Sequence, residues 1–127
     1  MEPILEVKVS SLGQTVSEKA FVENYRQLET MVHELAVEKG WWDQERNNGE
    51  AIALMHSELS EALEALRKGN PPDSKLPDFS SVEVELADVI IRIMDMSAKR
   101  KWRVAEALVE KHAFNKSRPH RHGGKKF

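Results

Sequence analysis

The stretch from Ser81 to Lys99 most constrains the fold, because at helical spacing it is apolar around most of its circumference. With about 100° of rotation per residue, its polar side chains fall into one stripe roughly 80° wide. That stripe consists of Glu85, Asp88, Arg92 and Asp95. A helix that is apolar almost all round is usually buried, and buried carboxylates are costly unless they are paired or bound to a metal. We therefore expect a buried helix whose acidic stripe has a partner.

Three further stretches repeat apolar residues at helical spacing, over about residues 18–39, 50–68 and 104–115. Ser17 is the predicted N-cap of the first helix, and Gly40 ends it. The sequence Gly69-Asn70-Pro71-Pro72 stops the second helix. Four helices with short to moderate links predict an all-α, four-helix bundle-like fold.

The 127 residues fit a single domain, which we expect to span residues 1–127. Residues 1–17 are predicted to form an N-terminal arm with a short extended segment at residues 4–9. Residues 116–127 are predicted to form a basic C-terminal tail. The chain has no cysteine, which excludes disulfides and thiol catalysis. Neither a signal-peptide pattern nor a run long enough to span a bilayer is present, so we expect a cytoplasmic protein without membrane contact.

Two motifs of paired carboxylates lie in the second and third predicted helices, Glu58-Leu-Ser-Glu61 and Glu85-Leu-Ala-Asp88. A separation of three places both acids of a motif on one helix face. Four convergent carboxylates repel one another unless a cation neutralises them, which indicates a hard divalent metal such as Mg2+ or Mn2+. The competing interpretation is a thin solvent-exposed seam in which Asp88 and Arg92 form an ordinary i,i+4 pair. Di-iron bundles need Glu-x-x-His pairs, which these helices lack.

The helical wheel ranks the acids of the second helix. Glu58 falls between Ala62 and Ala65, at the edge of the apolar face. Glu61 lies further out, and Glu64 points towards solvent. Glu64 is therefore excluded from the predicted metal ligands.

Cationic and aromatic residues suggest an anionic, base-containing ligand. Lys111, Asn115 and Arg118 are spaced i, i+4, i+7 and share a face if the fourth helix persists that far. Together they would form a phosphate grip, although exposed polar residues explain the spacing equally well. Trp41 and Trp42 precede the second helix and either stack on a nucleobase or cap the bundle as core aromatics. The histidines are isolated on helices or lie in the tail and predict no site.

These motifs resemble those of the MazG-like all-α nucleoside triphosphate pyrophosphohydrolases. The resemblance rests on the run from Gly40 to Arg67, the run from Val84 to Arg92, and the ending from Lys111 onwards. It covers roughly residues 20–125, while residues 1–17 carry no match. It implies an all-α enzyme that hydrolyses a nucleoside triphosphate to the monophosphate and pyrophosphate. It also implies a homodimer or homotetramer with the site near subunit interfaces.

The resemblance assigns roles to residues as well. Mg2+ is expected to be held by Glu58, Glu61, Glu85 and Asp88. Substrate contacts are expected from Lys111, Asn115 and Arg118, with Trp41 or Trp42 holding the base. Either Glu58 or Glu61 would accept the proton of the attacking water. The alternative is a non-catalytic helical module that binds a nucleotide or a protein. Nucleic-acid binding through the tail ranks last, because no helix-turn-helix pattern is present.

Overall fold

The protein is all-α, as a computed structural model that describes residues 15–127 shows. Its helices are α1 (Val16–Glu38), α2 (Asn48–Arg67), α3 (Ser81–Arg100), α4 (Val104–Ser117) and the short α5 (Arg121–Gly124). The predicted fold class is thereby confirmed. The predicted extended segment at residues 4–9 lies outside the described residues. None of the described helices is long and apolar enough to cross a membrane.

Side-chain caps fix where the helices begin. The Thr15 hydroxyl accepts the Glu18 backbone N–H at 3.0 Å, so α1 starts two residues before the predicted position. Thr15, not the predicted Ser17, is therefore the cap. Thr and Ser are both common N-cap residues, so the sequence alone does not determine which hydroxyl caps the helix. The Asn47 side chain caps α2 by accepting the Glu50 N–H at 2.8 Å.

The chain divides into two compact units, residues 28–101 and residues 15–27 with 102–127. The smaller unit contains the first turns of α1 together with α4. Val22 and Ala105 are buried in it. A bidentate ion pair between Arg26 and Glu106 joins the two helices.

The larger unit is built on α2 and α3, which pack closely against each other. They run antiparallel, because Glu58 contacts Arg92 whereas Glu61, further along α2, lies near Glu85, earlier in α3. Ala62 and Ala65 of α2 are buried, and small side chains allow helices to approach closely. Close approach brings the acidic positions of the two helices within reach of one another.

The loop between α2 and α3 holds this pairing in register. Gly69 and Asn70 adopt positive φ angles of +84° and +50°, which turn the chain out of α2. The Asn70 side-chain oxygen then accepts the backbone N–H of Val82 at 2.9 Å. Ser81 donates its hydroxyl to the Pro71 carbonyl at 2.7 Å. These bonds connect the end of one helix directly to the start of the next.

Large apolar side chains remain exposed on both helices of this pair. On α3, Leu86 and Ile90 are 45% and 50% exposed, although Met94 and Met96 are buried. The expectation that α3 is buried along its whole length is therefore wrong for the single chain. On α2, the apolar residues Ile52, Leu59, Leu63 and Leu66 are likewise exposed. α2 packs along one side of α3, and part of the apolar surface of both helices remains exposed in the single chain.

Candidate functional site

Three of the four predicted metal ligands converge between α2 and α3. Carboxylate oxygens of Glu58, Glu61 and Glu85 all lie within 4.8 Å of one another. The three-residue spacing brings Glu58 and Glu61 onto one face of α2, and the antiparallel register places Glu85 of α3 opposite them. Three carboxylates at this separation form an oxygen-rich cluster between the two helices.

Glu85 is the residue most perturbed by this arrangement. Burial, followed by a hydrogen bond shared with Glu61 and by the nearby negative charges, raises the pKa of its carboxyl from 4.5 to about 7. Its Oε2 atom is buried and has no hydrogen-bond partner within residues 15–127. A buried oxygen without a donor is costly, so this atom is open to a cation or a proton.

Asp88, the fourth predicted ligand, stands beside the three-oxygen group. Its pKa is raised first by burial and then by the charge of Glu58, while the Arg92 guanidinium lowers it. The sensitivity of Asp88 to Glu58 shows that the two carboxylates share one electrostatic environment. They also line the same cavity. The four acids therefore lie in one neighbourhood, with three in direct convergence.

The residues fit a hard divalent cation. All candidate donors are carboxylate oxygens, which suit Mg2+ or Mn2+ better than metals that favour imidazole or thiolate. The unpartnered Oε2 of Glu85 supplies an observation independent of the spacing. Glu58, Glu61 and Glu85 would hold the ion, and Asp88 lines the same cavity as Glu58.

Arg92 makes a contact that the sequence did not predict. Its Nε donates to Oε1 of Glu58 at 2.9 Å, across the gap between α3 and α2. The i,i+4 spacing had suggested Asp88 as the partner of Arg92. The Glu58 side chain is only 13% exposed, in agreement with its predicted place beside Ala62 and Ala65.

Glu61 and Glu64 also lie where the helical wheel predicted. Glu61 is exposed although it belongs to the cluster. Glu64 is half exposed and faces Arg67 and Lys68 of its own helix, at 3.9 and 3.7 Å. It is therefore a surface residue outside the metal cluster.

A cavity of about 350 Å3 opens beside the cluster within the larger unit. One part of its wall is apolar and is contributed by α1 and α3. Charged side chains complete the wall. The lining includes Leu35, Trp41, Arg46, Glu58, Asp88 and Arg92. The cavity thus joins an apolar surface, an acidic group and cationic side chains in one space.

The two tryptophans differ in their surroundings. Trp41 is 60% exposed and lines the cavity. Trp42 is partly buried, and its indole N–H donates to Asp95 at 2.9 Å. Cationic groups of Arg46, Lys99 and Arg100 lie 5.4 to 5.8 Å from the Trp42 ring centre. Trp41 is thus the ring available to a ligand, and Trp42 is held among protein groups.

Asp95 and His33 were not predicted as a pair. His33 Nδ1 lies 2.7 Å from Asp95 Oδ1, and because a carboxylate oxygen accepts, Nδ1 donates the proton. The only sequence signal was the place of Asp95 in the polar stripe of an otherwise apolar helix. His33 is 62 residues away in the chain, and no spacing rule connects them.

The predicted phosphate grip occupies the smaller unit. Because α4 ends at Ser117, Arg118 is the first residue beyond the helix and not part of its face. Both cationic side chains nevertheless lie near Phe114, with Lys111 Nζ and Arg118 Cζ 4.8 and 5.7 Å from the centre of its ring. Asn115 Oδ1 is buried without a hydrogen-bond partner among the described residues.

Comparison with known proteins does not identify the chain: no protein-family model matches it, and neither does any curated protein or solved structure. The resemblance of its motifs to the MazG-like enzymes therefore stays a prediction.

Proposed function

We propose that the protein is a Mg2+-dependent nucleotide pyrophosphohydrolase that converts a (deoxy)nucleoside triphosphate and water to the monophosphate and pyrophosphate. The observation that carries this proposal is the convergence of Glu58, Glu61 and Glu85, with one buried oxygen of Glu85 that has no partner in the described part of the chain. A hard divalent cation would neutralise such a cluster, and a polyphosphate is the substrate class that a hard cation beside a cavity serves best.

The size and lining of the cavity support a nucleotide. A volume of about 350 Å3 falls at the lower end of the range for small-molecule sites. Trp41 offers an exposed ring on which a base can stack, and Leu35 adds an apolar surface. Glu58 and Asp88 line the same space, so the phosphates would lie towards the acidic cluster and the base towards Trp41.

The chemistry divides among the carboxylates. Bound Mg2+ would supply Lewis-acid activation of a phosphate oxygen and of a water molecule. Glu58 already accepts from Arg92, whereas Glu61 is exposed and belongs to the same oxygen group. We therefore assign Glu61 the role of accepting the proton of the attacking water. Glu85 and Asp88 would hold the ion from the opposite helix.

Lys111, Asn115 and Arg118, in the smaller unit, are proposed to bind phosphate groups of a nucleotide. Support comes from the two cations gathered around Phe114 and from the unpartnered oxygen of Asn115. Charge-assisted hydrogen bonds to phosphate are stronger than neutral ones, so these cations suit phosphate groups of high negative charge.

A second copy of the chain is proposed to cover the apolar surface of α2 and α3. Exposed apolar residues lie on both helices of the pair, which supports burial against an identical pair and so a homodimer or homotetramer. The proposed physiological role is the removal of unwanted nucleotides from the cytoplasmic pool.

A pyrophosphate-release screen tests the proposed function. Canonical and modified nucleoside triphosphates, deoxynucleoside triphosphates and phosphoribosyl-ATP are each incubated with the protein, with and without Mg2+. We expect Mg2+-dependent release from at least one compound. We also expect Glu85→Gln and Asp88→Asn to lower turnover by at least about 100-fold, because each removes a charged ligand of the ion.

Circular dichroism of the variants shows whether helicity is retained, so that lost turnover can be assigned to the site. Folded wild-type protein that releases no pyrophosphate from any compound would refute the enzyme. Tight calorimetric binding of a nucleotide without product would instead identify a non-catalytic nucleotide-binding module.

A further inference from the structure

Arg92 brings a positive charge into the acidic cluster. Its Nε donates to Glu58 Oε1 at 2.9 Å, and the side chains of Arg92 and Glu58 are 31% and 13% exposed. Its charge also acts on Asp88, one turn earlier on α3, whose pKa it lowers. Arg92 thus interacts with one acid of each carboxylate motif.

The Arg92–Glu58 contact would weaken the binding of a metal ion by Glu58. A Glu58 carboxylate that accepts a hydrogen bond from the guanidinium has less negative charge to offer a cation. A guanidinium beside a divalent ion is also repelled by it, and the low exposure of Glu58 limits screening by solvent. Arg92 and the ion therefore compete for Glu58.

Arg92 also lines the cavity in which the proposed substrate lies. Its planar guanidinium matches the geometry of phosphate oxygens, and its long side chain can exchange one anionic partner for another. A triphosphate would offer Arg92 a replacement for Glu58 at the moment when the ion needs that carboxylate.

We propose that Arg92 is a positioning residue that occupies Glu58 in the free protein and transfers to the substrate's phosphates when Mg2+ and nucleotide bind together. The inference rests on the proposed function, because it assigns the phosphates as the second partner of Arg92. It makes the affinity for Mg2+ low without nucleotide and high with it. By linkage, Mg2+ raises the affinity for nucleotide by the same factor.

Calorimetric titration of Mg2+ tests this coupling directly, without any measurement of turnover. Mg2+ is titrated into the wild type and into Arg92→Met, first alone and then with a non-hydrolysable nucleoside triphosphate analogue. We expect Arg92→Met to bind Mg2+ alone at least about fivefold more tightly. We expect the enhancement by the analogue to shrink by at least about fivefold, at the lower end of typical coupling.

Two further variants complete the experiment. Arg67→Met removes an exposed arginine that faces Glu64 on the same α2 helix, and it should leave both affinities unchanged. Arg92→Lys retains the charge without the planar fork, so it should keep the weak Mg2+ binding of the free protein while the analogue binds less tightly. If Arg92→Met does not fold, the affinities of Arg92→Lys alone test the proposed role of Arg92.

The outcomes separate the two proposals. Wild-type protein that binds Mg2+, together with an Arg92→Met variant whose affinity is equal or weaker, would overturn the role of Arg92 and leave the proposed enzyme standing. Analogue binding by Arg92→Lys at wild-type affinity would overturn it as well. Wild-type protein that binds no Mg2+ with or without the analogue would overturn both.

Discussion

At the scale of single residues, Glu85 links the stability of the protein to pH. Its carboxyl has a pKa of about 7 in the folded chain against 4.5 in the unfolded reference, so the folded state holds its proton over a wider range. The unfolded state therefore binds fewer protons between these values, and the free energy of unfolding falls as pH rises from about 4.5 to 7. The raised pKa of Asp88 acts in the same direction.

We predict that metal-free protein is more stable to urea near pH 5 than near pH 7.5, and that Glu85→Gln reduces this difference. The glutamine variant cannot ionise, so it escapes the repulsion that grows as Glu85 loses its proton. Urea unfolding in the presence of a chelator at both pH values measures the effect. Equal pH dependence in the wild type and the variant would show that Glu85 is not the responsible group.

Asp95 should matter for stability through its two donors. Its side chain is 13% exposed and accepts from His33 and from the Trp42 indole. Asp95→Asn removes the negative charge and one acceptor oxygen. We therefore expect the free energy of unfolding to fall by about 1–3 kcal/mol. Urea unfolding followed by tryptophan fluorescence measures it.

The exposed Asp78 provides the matched control, because Asp78→Asn makes the same chemical change in the loop before α3. It should alter the free energy of unfolding by less than about 0.5 kcal/mol. A comparable loss in both variants would contradict the special role of the His33–Asp95–Trp42 contacts.

Which residue contacts were predictable follows from their separation in the chain. Helical rotation placed Glu58 beside the buried alanines and Glu64 in solvent, because both positions depend on one helix alone. The Arg92–Glu58 contact depends on the register between two helices. The pairing of His33 with Asp95 depends on tertiary packing that no local pattern records.

At the scale of elements, the alanines of α2 set the distance to α3. Ala62 is 5% exposed, and a larger side chain there must push the helices apart. We predict that Ala62→Leu destabilises the protein by about 1–3 kcal/mol through overpacking. It should also weaken Mg2+ binding, since the carboxylates of the two helices would separate.

Ala53→Leu is the matched control, because Ala53 lies on the exposed side of the same helix. It adds the same atoms without contacting α3. Urea unfolding and Mg2+ calorimetry compare the stability and the Mg2+ affinity of the Ala53→Leu and Ala62→Leu variants. Equal behaviour of both variants would mean that the packing at Ala62 does not position the site.

The helix boundaries were largely readable in advance because caps and stop signals are local. Gly40 and Gly69 adopt the positive φ angles of +88° and +84° that favour glycine, and both stand where the helices were predicted to end. The start of α1 was misplaced because Thr15 and Ser17 both carry suitable hydroxyls. The burial of α3 was overestimated because an apolar pattern does not state which molecule covers it.

At the scale of the whole molecule, the exposed apolar side chains predict self-association. Leu63 on α2 is 51% exposed, near Leu59 and Leu66 on the same helix. We expect sedimentation equilibrium to give two or four times the chain mass of 14.5 kDa. Leu63→Glu should shift the protein towards the monomer, because a charge would be buried in the interface without a partner.

Ser57→Glu places the same charge on the exposed surface of α2 and should leave the assembly intact. A wild-type protein that remains monomeric at high concentration would contradict the proposed pairing. A shift caused equally by Ser57→Glu would point to net charge rather than to the leucine surface.

The loop between α2 and α3 also sets the order in which the acidic site assembles during folding. Glu58 and Asp88 are separated by only about thirty residues, and every candidate ligand lies on the two helices that this loop connects. Contacts between neighbours in sequence form early, because little loop-closure entropy is lost before they are made. A divalent ion would then meet its ligands while the chain is still folding, at the closure of a single helical hairpin.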